Sequence, residues 1–322
     1  MSRTSFIYFG AALAASAAFV ALRTRQAEKQ NPPIGRFVEV DGVQLHYVER
    51  GSGEPLVLLH GNGSMVQDFL TSEFVDLAAL HYRVIVFDRP GYGWSERPRG
   101  RVWTPAAQAK LLRAATRSIT GGGERIHLFG HSWGTLVAVE WALRDAQSIL
   151  SLTLAGGYYF PTARVDAMLI SGNAVPVLGD VMRWTVTPIA GRLTWPMTLR
   201  ALFGPAPVPE HFSRFPRGFA LSPLSLRAAA EEAAMMVPAA SKLQGRYPHL
   251  RVPVTILAGE GDRIVDAEEQ SARLHKEIVG STLRLFPGVG HMIHHTNPAG
   301  VFGALHSATG SIDRLAALSR VG

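Results

Sequence analysis

The chain has 322 residues, enough to bury one large core with an insertion or two small domains. Apolar residues make up 47% of it, which excludes an intrinsically disordered chain. With no cysteine, it cannot form disulfides, thiolate metal sites or a cysteine nucleophile. The net charge is +7, but no basic run or basic helix stripe stands out. We therefore expect scattered surface arginines and no nucleic-acid partner.

The amino end carries an uncharged stretch, residues 6–22, of 17 residues. That length is at the lower limit for a membrane-spanning helix, and basic residues follow it. One interpretation of residues 1–25 is therefore a single-helix membrane anchor of open orientation, which localises the protein to a membrane. The alternative is a secretory signal cleaved after Ala17, because Ala15-Ser16-Ala17 has the small-x-small form of a cleavage site. Residues 26–35, with Pro32 and Pro33, are predicted to be a linker.

From residue 36 onward, short apolar runs alternate with segments of helical periodicity. A hairpin turning at Asp41-Gly42 is predicted first. Thr104-Pro105 has the form of an N-cap followed by proline in the first helical turn. The pattern predicts an α/β fold with a mostly parallel twisted sheet and helices on both faces. The remaining predicted strands are 56–59, 83–87, 126–129, 150–154, 254–258 and 282–286, and the predicted helices are 105–120, 132–144 and 267–278.

Residues 158–250 interrupt this alternation with an apolar, proline-broken helical pattern. An insertion at the carboxyl ends of parallel strands would form a helical lid over the place where ligands bind in such sheets. The alternative is that these residues only pack a small core of their own. The predicted organisation is thus a core in two parts, residues 36–157 and 251–322, separated by the lid.

A glycine-flanked serine lies where the apolar run 126–129 meets a predicted helix, in the sequence Gly130-His131-Ser132-Trp133-Gly134. A sharp strand-to-helix turn exposes a nucleophile to free backbone N–H groups, and the two glycines let strand and helix pass closely. The alternative is a glycine-rich turn with an N-capping serine. We predict that Ser132 is a nucleophile.

A serine nucleophile needs a base, and the base needs a carboxylate that fixes its tautomer. The loop after strand 254–258 offers Glu260 and Asp262, and the loop after strand 282–286 offers His291. His294 and His295 are expected on the following helix.

The chain resembles the α/β-hydrolase fold family from residue 36 to its end. The motifs that carry the resemblance are LLHGNGS, VFDRPGYGWSERP, GHSWGT, LAGEGDRIV and PGVGHMIHH. It implies a Ser-Asp-His triad of Ser132, Asp262 and His291. It also implies an oxyanion hole formed by the backbone N–H groups of Asn62 and Trp133.

A serine at the turn implies acyl-enzyme chemistry, whereas relatives that attack by alkylation carry aspartate there. We therefore expect a carboxylesterase-like serine hydrolase acting on an ester, lactone or thioester of a small, hydrophobic substrate. The alternatives are a carbon–carbon bond hydrolase, a cofactor-free perhydrolase or haloperoxidase, and a ligand-binding protein without catalysis. None of these requires a metal or an organic cofactor, and the oligomeric state is left open.

Overall fold

The computed structural model describes residues 3–163 and 165–318, and its centre is one eight-stranded sheet. The strand order is β1-β2-β4-β3-β5-β6-β7-β8, and the strands from β4 to β8 in this order are parallel. The first two strands add an antiparallel edge. The strands are β1 Arg36–Val40, β2 Val43–Arg50, β3 Pro55–Leu59, β4 Arg83–Phe87, β5 Ile126–His131, β6 Ile149–Ala155, β7 Val254–Gly259 and β8 Thr282–Phe286.

Helices cover both faces of the sheet, which confirms the predicted fold class. They are α1 Arg3–Gln30, α2 Val66–Leu70, α3 Glu73–Ala79, α4 Pro105–Thr120, α5 Trp133–Arg144, α6 Val165–Ser171, α7 Leu178–Trp184, α8 Thr187–Phe203, α9 Arg217–Ala220, α10 Pro223–Leu243, α11 Arg273–Glu277, α12 Ile293–Thr296 and α13 Pro298–Leu318.

The parallel strands are apolar on both faces because helices bury them from both sides. Within β3, Leu56 and Leu58 enter one apolar cluster, together with residues of α2, α3 and α13. Val57 and Leu59 enter the other cluster, together with residues of α4 and α5. Alternation of side chains along a strand therefore divides the core into two layers, and the carboxyl ends of the strands stay free to carry loops.

Local signals account for one hairpin turn and for both caps of α4. Asp41 and Gly42 have φ of 51° and 70°, which is the geometry that a two-residue hairpin turn requires. The Thr104 side chain accepts a hydrogen bond from Ala107 N at 3.1 Å and caps α4. The helix ends at Gly121, which has the left-handed φ of 77°.

The region between β6 and β7 contains α6 to α10, which we call the insertion. Its longest helix, α10, packs on α5 of the core as well as on α6 and α7. Tyr158, Tyr159 and Phe160 fall inside the predicted lid boundaries but are buried in the main apolar cluster of the core. The insertion and the core therefore share buried surface.

The amino end differs from the prediction. Residues 26–30, predicted as linker, belong to α1, which runs to Gln30 and packs on α7 and α9 of the insertion. Within the described ranges, no helix combines the length and the apolarity that a membrane crossing demands, so the predicted membrane anchor is not supported. The predicted span has 17 uncharged residues, and many of them are alanine, glycine or serine. Val20 and Ala27 of α1 are buried, and Ser16 Oγ donates to Thr185 O of the insertion at 2.9 Å.

The predicted helix 267–278 is less regular than expected. It consists of a π-helical segment, Ala267–Ala272, followed by the short helix α11. The buried Gln270 lies in the π-helical segment, accepts hydrogen bonds from Tyr159 N and Phe160 N, and donates to Phe160 O. These bonds to the insertion account for the widened turn, because a local bulge re-aims the glutamine side chain.

Candidate active site

Ser132 lies at a strained junction between β5 and α5. Its φ of 51° and ψ of −123° are unusual for a residue that is not glycine. A Cβ on Gly134 would lie 2.2 Å from Leu59 O, and one on Gly130 would lie 2.7 Å from the Gly134 oxygen. Both glycines are therefore required for the close passage of strand and helix, as the sequence pattern predicted. This close packing holds Ser132 at the carboxyl end of the sheet.

Asp262 and His291 meet at the carboxyl ends of neighbouring strands. His291 Nδ1 donates to Asp262 Oδ2 at 2.7 Å, and both side chains are at most 3% exposed. The other oxygen of Asp262 accepts from Ile264 N and Val265 N at 2.7 and 2.9 Å. Glu260 is exposed to solvent. The structure thus pairs His291 with Asp262, and this bond leaves Nε2 as the free ring nitrogen of a neutral His291.

The loop of His291 lies against the turn that carries Ser132. His131 Nε2 donates to His291 O at 3.0 Å, and Ser132 N donates to Ala155 O at 2.9 Å. Gly156, directly after that carbonyl, has φ of 54°, and a Cβ there would lie 3.4 Å from His291 Nδ1. Within the described residues, the Ser132 hydroxyl makes no hydrogen bond to the His291 ring. Such catalytic bonds commonly tighten only when substrate is bound.

The two residues predicted to form the oxyanion hole, Asn62 and Trp133, both lie close to Ser132 along the chain or in space. Trp133 is the first residue of α5, where N–H groups have no partner within the helix. Asn62 follows Gly61, at which a Cβ would lie 3.0 Å from Ser132 Cβ and 3.5 Å from Ser132 Oγ. The loop after β3 therefore passes directly beside the serine, as the predicted oxyanion hole requires.

The motif DRPGYGWSE forms the turn after β4. Asp88 is buried, and its oxygens accept from Val66 N at 2.8 Å, from Trp94 N at 3.0 Å and from His46 Nδ1 at 2.7 Å. Gly93 lies so close to Asp88 that a Cβ would be 2.0 Å from the carboxylate. Asp88 therefore fixes the turn after β4 and lies outside the pairing of Asp262 with His291.

A second buried carboxylate, Asp68 of α2, was not predicted from the sequence. Its Oδ1 accepts from His294 Nε2 at 3.2 Å and from His295 Nε2 at 3.0 Å. Burial alone would raise the pKa of Asp68, but the two histidines outweigh burial and hold it well below its ordinary value. Asp68 thus fastens α12, the short helix that begins two residues after His291.

Asp68, His131 and His294 together have the composition of a two-histidine, one-carboxylate metal site. Their ligand-type atoms lie within 4.8 Å of one another and are all buried. Each side chain also has a hydrogen-bond partner in the protein, namely His294 for Asp68 and His291 O for His131. The three side chains are therefore held in place by the protein itself.

Sequence reasoning also missed Arg89 and Glu232, which form a fully buried ion pair between the turn after β4 and helix α10. Arg89 lies in the motif DRPGYGWSE, which forms the turn after β4, and Glu232 lies in an alanine-rich helix. Only the folded chain reveals that the two meet beside the loop of Asn62.

The sequence profile of the α/β hydrolase fold matches residues 54–298. The mesoderm-specific transcript homolog protein of Homo sapiens is 30% identical over 182 residues, covering 50% of this chain. The chain spans only about half, 54%, of the length of that relative. The 2-hydroxy-6-oxo-2,4-heptadienoate hydrolase of Pseudomonas putida is 27% identical over 278 residues, covering 82% of this chain and 91% of its own.

Solved structures agree with this assignment. A thermophilic esterase from Thermogutta terrifontis superposes with a TM-score of 0.70 at 22% identity, covering 86% of this chain and 99% of its own. At that identity the likeness concerns the fold alone. Together with the strand order, the turn at Ser132 and the profile that spans most of the sequence, it identifies the chain as a member of the α/β-hydrolase fold family.

Proposed function

We propose that this protein is a serine hydrolase that cleaves an ester, lactone or thioester through an acyl-enzyme. The observation that carries the proposal is the 2.7 Å bond between His291 and Asp262, formed in loops that abut the strained turn of Ser132. A serine beside a carboxylate-oriented imidazole is the arrangement that activates a hydroxyl for attack on a carbonyl.

The reaction follows from the roles of these groups. Ser132 Oγ attacks the carbonyl carbon and gives its proton to His291 Nε2, while Asp262 stabilises the resulting imidazolium. The carbonyl oxygen becomes an oxyanion that accepts hydrogen bonds from Asn62 N–H and Trp133 N–H. His291 then protonates the leaving-group oxygen or sulfur, and the C–O or C–S bond breaks. Water activated by His291 attacks the acyl-enzyme and releases the acid and the free serine.

We infer that the substrate is small and hydrophobic. A cavity of about 430 Å³ opens between α10 and the segment that follows β6, which is the strand next to that of Ser132. This volume is in the range of small-molecule pockets, and we assign it to the apolar part of the substrate, with the insertion as the lid. The cavity is lined by Pro161, Thr162, Ala163, Ala167, Met168, Ser171, Ala233, Ala234 and Val237.

The test combines a fluorophosphonate label with turnover of p-nitrophenyl esters of increasing chain length. We expect the label on Ser132 and loss of turnover in Ser132→Ala, Asp262→Asn and His291→Ala, with native circular dichroism retained. Because a triad acts as a unit, Ser132→Ala/His291→Ala should be scarcely worse than either single variant. Replacement of the exposed His249 by alanine is the matched control and should leave turnover unchanged. Additive losses in the double variant would contradict a shared mechanism.

Carbon–carbon bond hydrolysis is the second candidate, because the Pseudomonas putida relative that matches 82% of this chain is named as a dienoate hydrolase. The two reactions are separated by following both p-nitrophenyl ester hydrolysis and the absorbance of 2-hydroxy-6-oxo-2,4-heptadienoate with one enzyme preparation. Turnover of the dienoate at a higher kcat/KM than of any ester would favour this second candidate.

A further inference from the structure

Beneath the loop of Asn62 lies a fully buried polar cluster that the triad chemistry does not use. Arg89 Nη1 and Nη2 donate to Glu232 Oε1 and Oε2 at 2.5 and 3.1 Å, and both side chains are 0% exposed. Glu232 also accepts from Tyr92 OH at 2.7 Å and from Gln108 Nε2 at 2.8 Å. The carboxylate therefore lies among donors contributed by the core, although it belongs to helix α10 of the insertion.

The cluster holds the loop after β3 in place by donating hydrogen bonds to carbonyl groups of that loop. Arg89 Nε donates to His60 O at 2.7 Å, and Arg89 Nη2 donates to Gly61 O at 2.8 Å. The His60 ring accepts from Arg89 N at 3.0 Å through Nε2, so its Nδ1 carries the proton that is donated to Gly61 O at 2.8 Å. The Gly61 carbonyl is thus held by two donors at once.

Gly61 C=O and Asn62 N–H belong to the same planar peptide group. In a trans peptide the two bonds point in opposite directions, so fixing the carbonyl also fixes the direction of the N–H. Donors on the carbonyl oxygen also polarise the peptide and strengthen its N–H as a donor. We propose that Arg89 and Glu232 are positioning residues, which orient and polarise the Asn62 N–H for the oxyanion.

Glu232 is needed in this arrangement because of charge. A guanidinium that is buried away from water requires a paired anion. A carboxylate that accepts from both terminal nitrogens also fixes the plane of the guanidinium group. Glu232 adds a direct contact, since Asn62 Nδ2 donates to its Oε2 at 3.3 Å and to Ala229 O of the same helix at 2.9 Å. The insertion therefore acts on the chemical step as well as on the shape of the substrate site.

The neighbouring residue on the same helix provides a matched control. Glu231 also joins the insertion to the core, through Arg97 Nε at 2.7 Å, but it contacts neither Arg89 nor the loop of Asn62 in the described residues. Glu231→Gln therefore removes an ion pair between the insertion and the core and leaves the two hydrogen bonds to the Gly61 carbonyl intact. Glu232→Gln makes the same chemical change one residue later.

The experiment compares these two variants of the full chain with wild type, using p-nitrophenyl butyrate, and it rests on the proposed function. Removal of a whole oxyanion donor lowers kcat about 10²–10³-fold, so a misoriented donor in Glu232→Gln should lower it roughly 10–100-fold with KM changed less than about threefold. Glu231→Gln should keep kcat within about twofold. Equal losses in both variants, or an unchanged kcat in Glu232→Gln, would overturn the inference.

If the Glu232→Gln chain does not fold, a second variant and a second measurement still test the inference. Arg89→Lys keeps the positive charge but removes the planar guanidinium group, which donates to Gly61 O and to Glu232 at the same time. The Asn62 amide proton resonance should move upfield in either variant and stay in place in Glu231→Gln. If wild type hydrolyses no ester, the proposed function fails, and this resonance still decides the inference, because an unmoved signal in Arg89→Lys overturns it.

Discussion

Fully buried histidines at the site, among them His60 and His131, predict that the fold loses stability in mild acid. Burial, and then the charge of Arg89, lower the pKa of His60 well below its ordinary value. Burial, and then His294 and His291, do the same to the pKa of His131. Both rings are therefore neutral in the folded chain at a pH where the unfolded chain would protonate them.

The sign and the size follow from proton linkage. A depressed folded-state pKa means that the unfolded chain binds more protons below about pH 6.5, so stability is lost as pH falls through that value. Each such proton costs about 1.4 kcal/mol per pH unit, and unfolded histidine is roughly 75% protonated at pH 6. His60 and His131 together should therefore lower the free energy of unfolding by about 2 kcal/mol between pH 6 and pH 5. Asp68, whose pKa is also depressed, adds a loss in the same direction only below about pH 4.

The assay is urea unfolding followed by fluorescence at pH 7, 6 and 5, with one shared slope against urea. His131→Asn should reduce the loss between pH 6 and pH 5 by about 1 kcal/mol, because one proton fewer is bound on unfolding. His249→Gln, at an exposed position, should not change the loss. A free energy of unfolding that stays constant from pH 7 to pH 5, or an undiminished loss in His131→Asn, would refute the reasoning.

Three further substitutions test the packing that holds the site. Thr104→Ala removes the cap of α4 and should lower the free energy of unfolding by about 1 kcal/mol in urea titrations. Gly134→Ala places a Cβ 2.2 Å from Leu59 O, so the melting temperature should fall, and an unchanged melting temperature would contradict the close passage. Asp68→Asn weakens the acceptor for two buried imidazoles and should cost about 1–3 kcal/mol, measured by urea unfolding at pH 7.

Elements with strong local signals were predicted from the sequence close to their observed bounds. Strand β4 contains a run of β-branched apolar residues, which favours a buried strand. Helix α4 has an N-cap at its start and a glycine after its end, so interactions between residues close in sequence set its bounds. Parallel strands place the loops that follow them at one edge of the sheet, which left both Glu260 and Asp262 as candidate acids. The motifs that resemble those of the α/β-hydrolase fold family pointed to Ser132, Asp262 and His291. Their proximity then required only the order of strands.

Features that depend on distant partners could not be predicted. The π-helical segment forms around Gln270, whose partners lie about 110 residues earlier in the chain. The pairing of Arg89 with Glu232 spans 143 residues and has no periodic or compositional signature. Likewise, the helical state of residues 26–30 reflects α1 packing on the insertion, which local turn propensity does not contain.

The position of the insertion between β6 and β7 has a consequence for how this scaffold can diversify. β6 pairs with β7 across residues 156–253, and the entropy of closing a loop grows only logarithmically with its length, by about 0.6 kcal/mol per doubling. The closure of a longer connection there therefore costs the sheet little. The constraint falls instead on the contacts between insertion and core, such as the buried pair of Arg89 and Glu232 and the backbone of Leu202, which accepts from His291 N at 3.0 Å. An insertion of different sequence that preserves these contacts would leave the sheet folded and form a different substrate cavity.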